Sequence, residues 1–200
     1  MILLISGKQG SGKTTLANRL KEELSIMQIP VATFKFAAPL YEMHDACYRV
    51  LQKYGWDKQD DKKDGDLLQL LGTEWGRTHL DPDIWAKLTK NAVNVFLYCC
   101  KDSFLPDKEG VAIIDDARFE NEVNIFNRKY TLTVRLNASA EDRKKRCEYW
   151  REKQDHPSEI GLDNYNDFDV VIDTSEYSSE ETFSIVMEEI KKRIKNGTND

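Results

Sequence analysis

Gly7-Lys8-Gln9-Gly10-Ser11-Gly12-Lys13-Thr14 satisfies the pattern G-x-x-x-x-G-K-[ST] in full. It follows the apolar run Ile2 to Ser6. It opens a stretch that puts Leu16, Leu20, Leu24 and Met27 on one helical face. Strand before and helix after is the context in which this pattern folds into a cradle for phosphate oxygens. The glycines let successive backbone N–H groups turn inward, and the helix N-terminus adds a favourable dipole. Lys13 is then positioned to reach the β- and γ-phosphates of a nucleoside triphosphate, and the Thr14 hydroxyl to ligate Mg²⁺. The expected donor-binding residues are Gly7 through Thr14 together with Thr15.

A second chemical signal lies at Val111-Ala112-Ile113-Ile114-Asp115-Asp116, an apolar strand ending in two carboxylates. Beside a phosphate loop, one of them can hold Mg²⁺ directly or through water. Side chains alternate across a strand, so only one is expected to face the loop, and the pattern leaves Asp115 and Asp116 both open. Arg118 follows two residues later, with a guanidinium fork suited to bidentate contact with phosphate oxygens. Arg143 and Arg146 lie three apart on a predicted helix and share a face, with Lys144 and Lys145 turned away. Such a face can close over donor phosphates and expel water. Lys35, near the end of the second predicted strand, is a candidate for the cleft. Trp75, Tyr149 and Trp150 are aromatics that can stack on a base. His44 and His79 read as surface or packing residues.

Five strands must position these groups: Ile2 to Ser6, Val31 to Phe36, Val111 to Asp115, Tyr130 to Leu136 and Phe168 to Asp173. Their apolar runs lack strict alternation, as in parallel strands covered on both faces. Helical patterns lie between them: Thr14 to Met27, Leu40 to Tyr54, Leu67 to Arg77, Pro82 to Cys100, Glu120 to Arg128, Ala140 to Lys153 and Ser179 to Lys195. The charged stretch Asp57 to Gly65 reads as a solvated loop. Alternating strands and helices predict an α/β parallel sheet. The segment from 37 to 108 is too long for a simple crossover and reads as a helical insertion within one domain spanning 1–200. Residues 139–163 read as a candidate lid.

Composition bounds the function. The 200 residues carry 29 Lys and Arg against 35 Asp and Glu, a net charge of −6. That argues against a general nucleic-acid binder, while a local cation cluster still suits a small anionic ligand. No apolar run approaches the ~20 residues of a membrane span. The N-terminus lacks the features of a signal peptide. Four cysteines without C-x-x-C spacing argue against a zinc site or disulfide framework and fit a reducing cytoplasm.

Taken in chain order, GKQGSGKT at Gly7 to Thr14, FAAPL at Phe36 to Leu40, LLGTEWGR with DPDIW at Leu70 to Trp85, and DARFENE at Asp116 to Glu122 resemble the bacteriophage-type deoxynucleoside monophosphate kinases. These belong to the wider P-loop nucleoside monophosphate kinase group. HPSE at His156 to Glu159, before FDVVID, lies where that family has a similar H-x-S-E. The resemblance implies a three-layer P-loop NTPase fold with sheet order 2-3-1-4-5, an acceptor-binding insertion and a lid. It implies ATP-dependent phosphorylation of deoxynucleoside 5′-monophosphates with Mg²⁺, in the cytoplasm of a host cell if the source is viral, and a homodimer. It places Asp116 at the acidic metal position and Arg118 on the phosphates; with Lys13 of the loop and Arg143 and Arg146 of the lid face they make up the expected catalytic set. It gives Phe36, Arg77, Trp85 and Arg118 as acceptor contacts; the full expected acceptor set adds Lys35, Glu122, Trp150, Ser158 and Glu159. Ala38 and Tyr41 depart from the family pattern, which commonly has an acidic residue and a Lys there.

A monophosphate acceptor attacks through an ionised oxygen, so the chemistry needs neutralisation and in-line positioning rather than a general base. A rival P-loop kinase of the dephospho-coenzyme A kinase type has a hydroxyl acceptor. There Asp116 would turn from metal holder to base. A nucleotide-dependent switch or binding protein is the alternative from another class.

Overall fold

The computed structural model describes residues 1–57, 63–101, 110–147, 150 and 157–197. Five parallel strands form one sheet in the order β2-β3-β1-β4-β5. They are β1 (Ile2–Gly7), β2 (Val31–Phe34), β3 (Val111–Ala117), β4 (Thr131–Asn137) and β5 (Val170–Asp173). This is the expected order and the fold of P-loop NTPases. Strand β1 is central: Leu3 pairs with Ile113 on one side and Leu132 on the other. The loop that leaves β1 therefore emerges between β3 and β4, where the crossovers part to opposite sides and open α/β sheets form their crevice.

The apolar strands are buried on both faces, which explains their nearly continuous hydrophobicity. One face, with Leu3, Ile5, Ile113, Val134 and Ile172, packs against α1 (Lys13–Ile26) and α8 (Ser179–Gly197). Leu16, Leu20 and Leu24 of α1 are buried there, at about 1.5–3 kcal/mol each. The other face, with Ile2, Leu4, Ala112 and Ile114, is covered by α4 (Ile84–Lys101) and α5 (Glu120–Asn124) through Ala86, Val93 and Val123.

Between β2 and β3 the chain forms α2 (Ala38–Lys53), α3 (Gly65–Gln69), a π-helical segment (Leu70–Leu80) and α4. The segment from Leu67 to Arg77 is thus not the regular α-helix its periodicity suggested. The backbone widens to a π-helix that brings Gly72 and Gly76 against neighbouring side chains. A Cβ on Gly76 would lie 2.5 Å from Trp85 Cζ2, so only hydrogen permits this approach. Asp64 starts α3 by accepting from the N–H groups of Asp66 and Leu67. His44 is buried, bonded to Asp45 through Nδ1 and to the Asp64 N–H through Nε2.

Other predicted bounds shift. The helix at Glu120 stops at Asn124 and a 3-10 turn (Arg128–Tyr130) leads into β4. The helix at Ala140, α6 (Ala140–Arg146), ends at Arg146 rather than Lys153. The short helix α7 (Pro157–Ile160) precedes β5. Tyr149, Arg151 and His156 lie outside the described residues. No helix among the described residues is long and apolar enough to cross a membrane.

Candidate functional site: a phosphate cradle at the centre of the sheet

The loop from Gly7 to Gly12 joins β1 to α1, with Gly12 in front of the first helical turn. Gly10 has φ +80°, and a Cβ there would meet the Arg143 carbonyl oxygen at 2.6 Å. Both the turn and the contact require glycine. Lys13 lies back along the loop, donating to the carbonyls of Gly7 at 2.7 Å and Lys8 at 2.9 Å. Burial, reinforced by the positive charge of Arg118, pushes its ammonium down to about 8. Ser11 is buried and Thr15 lines the outer side of the turn.

The two carboxylates at the end of β3 part to opposite faces, and Asp115, rather than the Asp116 that the resemblance put at the metal position, is the one turned to Thr14. The Thr14 hydroxyl donates to Asp115 Oδ2 at 3.0 Å. Asp116 points away, accepting from the backbone N–H groups of Phe36 at 2.9 Å and Ala37 at 3.1 Å. The strand pleat is the reason: Ile113 and Asp115 share the α1 face, Ile114 and Asp116 the opposite one. Asp115 is buried, and its Oδ1 has no hydrogen-bond partner among the described residues, with Lys35 Nζ 3.5 Å away. A buried carboxylate oxygen left unsatisfied beside a threonine hydroxyl fits a hard divalent cation. Thr14 and Asp115 are therefore the residues that fit Mg²⁺. Burial pushes the Asp116 carboxyl above its usual range, against the two N–H bonds that hold it down.

Arg77 and Arg118 come together through Glu122. Arg77 Nη2 donates to Glu122 Oε1 at 3.2 Å, while Oε2 accepts from the N–H groups of Arg118 and Phe119. Burial pushes Glu122 up to about 7. The Arg77 guanidinium lies 4.6 Å from the Phe119 ring centre. Arg118 is paired with Glu159, whose Oε2 also accepts the Gln9 N–H at 3.3 Å.

Phe36 and Trp85 do not present a face to a ligand. Phe36 joins the core with Leu4 and Ile114, and Trp85 is buried with its indole N–H donating to the Gly72 carbonyl at 2.9 Å. Arg143 and Arg146 do not share an open face either. Arg143 is buried against the loop, donating to Gln9 O at 3.3 Å, with the Trp150 ring centre 5.3 Å from its guanidinium. Arg146 donates to the hydroxyl and carbonyl of Thr174. The side chain of Ser158 lies outside the described residues.

Arg135 and Asp163, which no sequence motif marks, also reach the loop. Arg135 projects from β4 beneath the loop, donating to Ser6 Oγ at 2.9 Å and Asp163 Oδ1 at 3.1 Å, and Lys8 Nζ lies 2.6 Å from Asp163 Oδ2. Burial pushes the Arg135 guanidinium below its usual range. An arginine inside the β-branched run TLTVRLN was the available signal, since a strand interior accepts a charge only with partners. Two cavities flank the loop. One of about 410 Å³ lies over Arg135, Lys8 and Tyr165; one of about 270 Å³ lies beside Gly12, Thr15, Arg146 and Thr174.

Fold and cradle define a P-loop NTPase-type protein. Residues 3–167 match the family described as AAA domain, and the chain belongs to that family. It is similar in structure to the protein APE1195 (17% identity, 97% of this chain and 96% of that one, TM-score 0.55). It is also similar to a gluconokinase from Sinorhizobium meliloti 1021 (14% identity, 97% and 93% covered, TM-score 0.51). At these identities the likeness is one of fold.

Proposed function

We propose that this chain is a Mg²⁺- and ATP-dependent kinase of deoxynucleoside 5′-monophosphates, producing ADP and the diphosphate. The observation that carries a phosphoryl-transfer reading is the cradle itself. Lys13, the Thr14 hydroxyl and the Asp115 oxygen that has no hydrogen bond, only Lys35 at 3.5 Å, converge at one mouth, with Arg118 beside them. Thr14 and Asp115 would hold Mg²⁺, which would supply positive charge against the donor phosphates. The residues of the chain supply the rest: loop N–H groups orient the donor phosphates, and Lys13 follows the charge that develops on transfer. The 270 Å³ cavity beside Thr15 and Thr174 is a seat for the donor base.

A phosphate acceptor is supported by cations rather than by a base. Arg77 of the π-helical segment, Arg118 just after β3 and Lys35 just after β2 each pair with a carboxylate, Glu122, Glu159 and Asp115 respectively. An ionised monophosphate needs such neutralisation and brings its own nucleophilic oxygen. The family resemblance of GTEWGR, DPDIW and DARFENE supports a nucleotide acceptor, and the two arginines and one lysine suit its phosphate.

The hydroxyl-acceptor alternative has two points in its favour. Asp116 is a half-buried carboxylate with a raised pKa, and a fold relative is named as a gluconokinase. Against it, both Asp116 oxygens already accept backbone N–H groups. A coupled ADP assay with ribo- and deoxynucleoside monophosphates of every base, gluconate and dephospho-coenzyme A decides. ADP release dependent on a deoxynucleoside monophosphate is expected. Release only with a hydroxyl acceptor, or with none, refutes the proposal.

A further inference from the structure

A carboxylate repels phosphate, so Glu159 fits poorly as a direct contact to either substrate. Its surroundings assign it another task. It is 9% exposed, yet it stands among the groups that would receive a phosphate. Its Oε2 takes the Gln9 N–H at 3.3 Å, from within the cradle, and its Oε1 pairs with the Arg118 guanidinium. Its negative charge also acts on Lys13. Burial alone would raise its pKa. The Arg118 charge and hydrogen bond, the Gln9 N–H and the Lys13 charge outweigh burial and hold it below the usual carboxylate range. Glu159 is thus ionised at neutral pH, with a loop amide, a guanidinium and an ammonium for neighbours.

The backbone that carries it is seated with equal care. The Gly161 N–H closes the turn on the Pro157 carbonyl at 2.9 Å, and a Cβ on Gly161 would meet the Arg118 carbonyl oxygen at 2.7 Å. Two residues further on, Asp163 joins Lys8 of the loop to Arg135 of β4. The segment 157–163 is therefore stapled to the phosphate loop by two carboxylates.

We propose that Glu159 is the resident anion of the cradle. It fills the phosphate position on Gln9 N–H and Arg118 while no nucleotide is bound, and leaves in exchange for the donor. A carboxylate and a phosphate oxygen cannot share one N–H and one guanidinium, because two anions at hydrogen-bond separation repel strongly in a poorly solvated site. Donor entry must displace Glu159, and that displacement frees Arg118 for the transferring group. The residue keeps the empty loop neutral and open, at the cost of donor affinity. The idea rests on the cradle reading above, not on the identity of the acceptor.

Calorimetric titration of wild type, Glu159→Gln and Glu159→Asp with the β,γ-imido analogue of ATP and Mg²⁺ tests it. Glu159→Gln should bind about tenfold tighter than wild type, while Glu159→Asp stays within about threefold of it. With acceptor present, Glu159→Gln should lower KM for ATP, a change opposite in direction to that expected from lost packing. Equal or weaker binding by Glu159→Gln overturns the proposal. If Glu159→Gln does not fold, wild type decides by hydrogen exchange: the analogue should speed exchange of the Gly161 and Asp163 N–H groups, and slower or unchanged exchange overturns it. Wild type that binds no analogue refutes the cradle itself, a separate failure.

Discussion

A half-buried ammonium lodged against carbonyl oxygens is poorly compensated, and Lys13 shows the consequence: desolvation and Arg118 bring it down to about 8. Phosphate oxygens would restore the favourable field and lift it again. Above pH 8, binding of the ATP analogue should therefore take up a proton, and affinity should fall by about tenfold per pH unit. Calorimetry in buffers of different ionisation enthalpy reads the proton directly; flat affinity to pH 9.5 would detach Lys13 from the phosphates. Lys13→Ala should cost roughly 10²–10³-fold in kcat with the fold intact, as loss of one electrostatic donor does. The neighbouring carboxylates separate by their effects. Asp115→Asn should raise the Mg²⁺ needed for half-maximal activity by roughly 10–100-fold. Asp116→Asn should leave that requirement alone and lower stability by about 1–3 kcal/mol in urea melts, because one of two buried N–H groups loses its acceptor.

At the scale of elements, the π-helical segment Leu70–Leu80 and the turn into α5 form one joint. Gly76 lets the segment close on Trp85, the Gly72 carbonyl accepts both the Trp85 indole and Arg77, and Arg77 reaches Glu122 across the cleft. Gly76→Ala should overpack this joint at a cost of about 1–3 kcal/mol. Thermal melts and the acceptor KM should shift together, since Arg77 rides on the same segment. Glu122 makes the joint sensitive to pH. Its folded pKa of about 7 lies above its ordinary 4.5, so between those values the folded chain keeps a proton that the unfolded chain has lost. Stability should thus decline as pH rises through that window and level off above it. Glu122→Gln should flatten the decline, as followed by the urea midpoint from pH 4.5 to 8.

For the whole molecule, sheet order decides where chemistry can happen. Placing β1 between β3 and β4 brings the loop of residues 7–12, the end of β3 and Arg135 of β4 to one edge, although they are far apart in the chain. A ligand seated there ties together elements from both halves and should stabilise the fold as a unit. At 100 times its Kd, Mg²⁺–ATP should add ~2.7 kcal/mol, raising Tm by about 5–10 °C for a chain of this size. The shift should vanish in Lys13→Ala; an equal shift in that variant would place the nucleotide elsewhere.

Local rules sufficed for much of this. A strand, a glycine turn and an amphipathic helix in succession announced the phosphate loop, because backbone conformation and helix polarity are properties of neighbouring residues. Apolar runs announced the parallel strands, because burial on both faces leaves no alternation. The rest depended on contacts between distant residues. Asp115 and Asp116 are equivalent as letters, and only the pleat of β3 between its neighbours turns one to Thr14 and the other to Phe36. Trp85 and Phe36 look like walls of a pocket until packing buries them. Arg135, Asp163 and Glu159 acquire meaning only where the chain folds back on the loop. Charge and burial at a point in space are sums over groups from the whole chain, and no stretch of sequence contains that sum.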